Sequence, residues 1–209
     1  MEPVIPVTRT ERSELLRQRI VRSALEQFAA HGRTGMSLSD IAQGAGISKQ
    51  LLLYHFKSKA AVEDAVLEWL LTRSSGDISG LVRAATESFD AGLDLVRNGL
   101  LEDPITTSQA SRALVRFLLD GTREQAERIS EGTRGWFEGV VQTLRDGQAR
   151  GIYHADLDPK AVVPQIGMLM LTNLALLGQG GWERDHSGDW RQARLAEFVR
   201  SVRAMLLVH

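Results

Sequence analysis

A chain of 209 residues, 43% hydrophobic and 24% charged, has the apolar content for a real core and suits one large domain or a small domain joined to a larger one. It contains no cysteine, which excludes disulfides, thiolate metal sites and cysteine nucleophiles together and fits a reducing compartment. The net charge of -1 conceals an asymmetry: residues 1–60 carry nine Lys and Arg against five Asp and Glu, net +4, while the remainder carries 16 against 21, net -5. A basic leading segment on a mildly acidic body suits a protein that presents one end to phosphates.

Met1 to Thr8, with Pro3 and Pro6, reads as a loose arm without the apolar stretch of a signal peptide, and a cytoplasmic protein is expected. Beyond it, apolar residues recur at helical spacing and no run of four alternates as a half-buried strand would, which predicts an all-α fold. The first helix carries Leu16, Ile20, Ala24 and Phe28 on one stripe, with Arg12, Arg19 and Arg22 off it, and is expected to end near Gly32. Ser37 opens a short second helix in capping-box spacing with Asp40, Ser48 opens a third that runs to about His55, and Ser58 opens a fourth that runs to about Arg73. Further helices are predicted over 78–100, 105–121, 123–150, 159–178 and 190–207, separated by Ser75-Gly76-Asp77, Asp103-Pro104, Gly121, Gly151 and Gly180-Gly181, which makes nine. Ala161 to Leu177 is apolar nearly all round, yet it is short for a membrane span and holds Pro164, Gln165, Thr172 and Asn173. We expect a buried helix there. With the amphipathic last helix it offers either an interface with a second subunit or burial inside one.

Ser37 to His55 has the grammar of a helix-turn-helix. A capped short helix with small Ala42 leads through Ala45-Gly46-Ile47 into a second capped helix, and Ile41, Ile47 and Leu52 join the pair apolarly. Such turns also occur in helical proteins that never meet DNA, and only the basic flank favours nucleic acid.

Residues 20–60, with Ile20, Ala24, Phe28 and Gly32 followed by Ser37-Leu-Ser-Asp-Ile-Ala, Ala45-Gly-Ile-Ser-Lys and Tyr54-His-Phe-Lys-Ser-Lys59, resemble the N-terminal signature of the tetracycline-repressor (TetR) family. The resemblance implies a helix-turn-helix DNA-binding domain over 10–57 behind an arm at 1–9. It also implies a helical ligand-binding domain over 58–209 that dimerises through its last two helices. By the same resemblance Lys49, Gln50 and Leu51 stand on the first exposed turn of the recognition helix, suited to guanine acceptors, adenine and a thymine methyl respectively. Ser37 and Ser48 at the helix openings, Tyr54, Lys57 and above all Lys59 are expected at the phosphate backbone, with His55 bracing the helix. Arg9 and Arg12 suit either a groove-reaching arm or a disordered one. Gln50 replaces a common glycine of the pattern and Leu53 a frequent tyrosine, which leaves operator identity and the backbone-binding hydroxyl open.

One helix-turn-helix buries little DNA surface, so a twofold dimer on a palindromic double-stranded operator is expected, released by a small, largely apolar effector. Phe89, Phe117, Trp136, Phe137, Gln165, Met168, Met170 and Asn173 are the residues expected to line the effector's pocket. No cofactor, metal site or catalytic residue is read from the sequence. His154-Ala-Asp156-Leu-Asp158 is the one cluster that invites an enzyme reading, and Asp158 before Pro159 is better explained as a helix cap. The competing reading is a DNA-binding dimer without a small-molecule effector, or one that activates.

Overall fold

The structure, a computed structural model, describes residues 8–72, 104–176 and 190–208. The helix expected over 78–100, with Phe89 on it, and the breaks at Ser75–Asp77 and Gly180-Gly181 lie outside the described residues. The elements are α1 (Arg9–Gly35), α2 (Leu38–Gly44), α3 (Lys49–His55), α4 (59–72), α5 (Pro104–Asp120), α6 (Arg123–Ala149), α7 (Pro159–Leu176) and α8 (Trp190–Leu206). Among the described residues the one departure from helix pairing is an isolated antiparallel bridge between Tyr153 and Leu207. The chain divides into two compact units, Met1–Leu70 and Leu71–His209. By this division most of α4 falls in the first unit, and its Val62, Val66 and Leu67 are buried.

In the first unit, Thr8 and Glu11 form a reciprocal capping box that starts α1, with Glu11 N–H donating to Thr8 Oγ1 at 3.2 Å and Thr8 N–H to Glu11 Oε2 at 2.7 Å. Arg9 thus opens the helix rather than lying in the arm. Gly32 does not end the helix as expected. It takes a left-handed φ of 67°, open to glycine at little cost, and the chain resumes one further turn to Gly35 before Met36 N–H closes on the Gly32 carbonyl at 3.1 Å. The predicted stripe is otherwise observed: Ile20, Ala24 and Phe28 are buried and Leu16 is partly so.

The kinked end of α1 is fastened to α4 by charge. Arg33 Nη2 lies 3.0 Å from Glu63 Oε2, and Lys59 Nζ donates to the Arg33 carbonyl at 2.5 Å. Glu63 is buried, and that burial raises its pKa above the ordinary 4.5 even though Arg33 and Lys59 pull it down, with Asp64 adding a smaller upward push. An acid whose pKa is raised on folding stabilises the fold fully below its unfolded value, and that contribution is lost as pH rises through the folded value. We therefore expect the wild-type chain to lose stability relative to Glu63→Gln as pH rises above 4.5. Denaturant titrations of both proteins across pH would show it, and a wild type that gains on the variant would mean that the ion pair outweighs the burial.

In the second unit, α6 starts on a capping box between Thr122 and Gln125, and α5 and α6 both contact α7. The core joins Val141, Leu144, Tyr153, Val163, Phe198 and Val202, so α6, α7 and α8 meet around one apolar centre. The turn between α6 and α7 is held by Gln148, whose Nε2 donates to the carbonyls of His154 and Leu157, both at 2.8 Å. Asp158 Oδ1 accepts the Lys160 N–H at 2.9 Å, which is the capping role the sequence assigns it. The apolar α7 is buried on one side through Val162, Val163 and Leu174, while Ala161, Gln165, Met168, Leu169 and Thr172 form an exposed stripe. No described helix is long and apolar enough to cross a membrane.

Candidate nucleic-acid interface

Close approach of α1, α2 and α3 builds this site. Ser23 on α1 is buried and its hydroxyl donates to the Ile41 carbonyl at 3.0 Å, so the fold answers a polar group inside the seam. Gly44 sits directly over that hydroxyl, and a Cβ there would overlap it, which is why α2 needs glycine at its end. Gly46 adopts φ 66°, which turns the chain from α2 into α3, and Ile47 N–H returns to the Ala42 carbonyl at 2.9 Å. Arg19, off the stripe of α1, reaches this turn and donates from Nη2 to the Ala45 carbonyl at 2.5 Å. Arg17 lies 4.5 Å from the centroid of the Phe56 ring and covers the other end of α3. Ser23, Arg17 and Arg19 are the site residues that sequence patterning misses, because a serine on a helix stripe and arginines beside it read as filler and solvated surface.

At its start, α2 departs from the expected capping box. Ser37 Oγ accepts the Asp40 N–H at 3.1 Å, as expected. The Asp40 carboxylate, however, accepts the Ser37 hydroxyl proton at 2.6 Å instead of a backbone N–H. A short aspartate reaches the hydroxyl more readily than the backbone amide that a longer glutamate would span. Ser48 caps α3 by accepting the Leu51 N–H at 3.1 Å.

With Leu52 wholly buried and Phe56 at 3% exposure, α3 is seated by its inner edge and turns its other side to solvent. Lys49, Gln50 and Leu51 are exposed on the first turn, and neither Lys49 nor Gln50 makes a hydrogen bond or ion pair among the described residues. Tyr54 is 70% exposed, with Lys57 Nζ 5.8 Å from its ring centroid and the half-buried His55 ring edge-on to it at 5.5 Å. One outward edge therefore carries two lysines, an amide, a phenol and an apolar methyl-bearing side chain. Lys59 differs from its neighbours: it is partly buried and its ammonium donates to the Arg33 carbonyl. Arg9 and Arg12 are exposed at the start of α1.

The residues expected to line an effector pocket are dispersed. Trp136, Phe137 and Met170 pack against the core of the second unit, and Phe117 is itself core at 1% exposure. Asn173 ties two helices, its Oδ1 accepting from Arg194 Nε at 2.9 Å and its Nδ2 donating to the Leu169 carbonyl at 2.8 Å. Gln165 and Met168 stand on the exposed stripe of α7.

A capped, solvent-facing recognition helix seated across two others, followed by a helical second unit, defines a helix-turn-helix transcriptional regulator. The profile of the family described as bacterial regulatory proteins, tetR family, matches residues 20–66. The chain is 30% identical over 145 residues to the HTH-type transcriptional regulatory protein RaaS of Mycobacterium tuberculosis, which covers 66% of this chain and 65% of that protein, just under two thirds of the relative's length. It is 26% identical over 194 residues to the HTH-type transcriptional regulator SrpR of Pseudomonas putida, covering 91% of this chain and 87% of that one. In fold it matches the ketosteroid transcriptional regulator KstR2 of Mycobacterium tuberculosis with a TM-score of 0.69 at 19% identity, over 92% of this chain and 95% of that chain. Residues 20–66 thus carry the signature of the tetR family of bacterial regulatory proteins, and the relatives that the chain matches at greater length are transcriptional regulators.

Proposed function

We propose that this protein is a cytoplasmic, homodimeric repressor that binds a palindromic operator through α3 and is released by a small, largely apolar effector held in its second unit. The observation that carries the DNA reading is the outward edge of α3, where Lys49, Gln50 and Leu51 are exposed while Leu52 is wholly buried beneath them. A polar edge on a fixed helix suits a major groove, and two copies are needed for useful affinity. Lys49, Gln50 and Leu51 read bases. Tyr54 and Lys57 bind phosphate, with Ser37 and Ser48 at the helix openings beside them. Lys59 and His55 brace the reading head, Lys59 by its bond to the end of α1. The exposed stripe of α7, with α8, forms the dimer face, so Gln165 and Met168 meet the partner subunit rather than the effector. Trp136, Phe137 and Met170 bound the effector, and their apolar character accords with relatives named for tetracycline and for ketosteroid regulation.

Selection of bound duplexes from a random pool tests this reading. An inverted repeat with fixed spacing is expected, and the absence of any preferred duplex at low salt would end it. Gln50→Ala should relax preference at particular base pairs by about 1–3 kcal/mol each, whereas Tyr54→Phe should weaken all duplexes alike. Anisotropy titrations on matched and mismatched duplexes separate the two. If both variants changed only base preference, the division of roles would be wrong.

A further inference from the structure

Among the described residues of the second unit, two buried hydrogen-bond donors are left unanswered. Arg112 on α5 has its Nε sealed from solvent without a hydrogen-bond partner, and no carboxylate among the described residues pairs with its guanidinium. Trp136 on α6 repeats the pattern with a neutral donor, its indole Nε1 buried and unpartnered. Both helices pack on α7. Buried donors are almost always satisfied, and a desolvated guanidinium is the costliest of them to leave alone.

Among the described residues nothing relieves the charge. Arg116, one turn on, is another cation, and the buried Ser108 spends its hydroxyl on the Ala175 carbonyl at 3.4 Å. Burial first, and then Arg116, hold Arg112 below the ordinary arginine range, so the positive form is disfavoured where it stands. Arg112 nevertheless keeps partial exposure, and a small solute can reach it. An unanswered buried donor calls for an explanation, and a ligand that supplies the missing acceptor is one.

We infer that Arg112 is the anion-binding end of the ligand site in the second unit, and that its ligand joins a carboxylate to an apolar body. The guanidinium edge offers parallel N–H bonds to a planar two-oxygen anion, the geometry of a carboxylate. The apolar body follows from Trp136, Phe137 and Met170, which line the core on the helices that pack beside α5 on α7 or belong to α7 itself. The inference rests on the proposed effector role for its consequence on DNA, but the binding is tested apart from it.

Calorimetric titration of the full chain with octanoate and with 4-phenylbutyrate, each against its neutral primary amide, tests the site. At least one acid should bind about tenfold more tightly than its amide, as expected for a charge-assisted bond. Arg112→Gln should erase that preference while leaving amide affinity unchanged, and Arg112→Lys, which keeps the charge and the bulk, should retain part of it. Equal affinity for acid and amide, no binding of either acid, or an acid preference that survives Arg112→Gln in a protein of unchanged melting temperature would overturn the inference. Anisotropy of a selected duplex is read in parallel: failure of the unliganded protein to bind any duplex sinks the repressor reading, whereas the calorimetry alone decides the anion site.

Discussion

Leu52→Ala is expected to cost about 2–5 kcal/mol, the range for removing a large aliphatic side chain from a core that relaxes only in part. Leu52 has no solvent exposure and lies in the middle of a seven-residue helix, so α3 has few other anchors to share the loss. A helix that short is not stable by itself in water and exists because its apolar edge is buried. The loss would be a large fraction of the stability of a unit of about 70 residues. Duplex affinity should therefore fall for every sequence, unlike the base-specific effect of Gln50→Ala. Hydrogen exchange is the direct check: amides of α2 and α3 should lose protection while those of α6 and α7 keep theirs. Uniform loss across both units would mean that the two do not unfold separately, and unchanged protection in α3 would refute the seating of the helix on Leu52.

Periodicity located every described helix to within a few residues because burial of one stripe is what makes each helix form. Ser48 and Asp158 were legible as caps because an N-terminal N–H has few partners other than such a side chain. Gly32 reads in sequence as a terminus and is a kink in the structure, since a left-handed φ allows a chain either to stop or to restart. The place of Lys59 in the motif points to phosphate, and its bond to the Arg33 carbonyl depends on where α1 ends in space, which no local pattern records. The same holds for Arg19 on the Ala45 carbonyl and Ser23 on the Ile41 carbonyl, 26 and 18 residues apart in sequence. The effector residues were least legible. Aromatic and methionine side chains at helical spacing are expected in any core, and nothing in sequence distinguishes Phe117, which is core, from Trp136, whose donor is unanswered.

Gly147→Val should act on the assembly through the second unit. Gly147 lies under the ring of Tyr153, and a Cβ there would overlap ring carbons rather than the end of a flexible chain. The ring cannot retreat freely, because Tyr153 bridges Leu207, His154 N–H donates to the Leu206 carbonyl at 3.0 Å and Val208 N–H to the Ile152 carbonyl at 3.2 Å. These contacts tether the end of α8 to the turn before α7, so displacing Tyr153 moves the two helices assigned to the dimer face. Overpacking of this kind costs about 1–3 kcal/mol, and more where backbone pairs break. We expect Gly147→Val to lower the melting temperature and to shift the protein toward monomer in sedimentation velocity. Affinity for a full palindrome should fall while affinity for a single half-site at low salt stays near wild type, since α1 to α3 are untouched. Dimerisation unchanged in a clearly destabilised variant would place the subunit interface elsewhere than α7 and α8, and an unchanged melting temperature would mean that the Tyr153 ring has room to move.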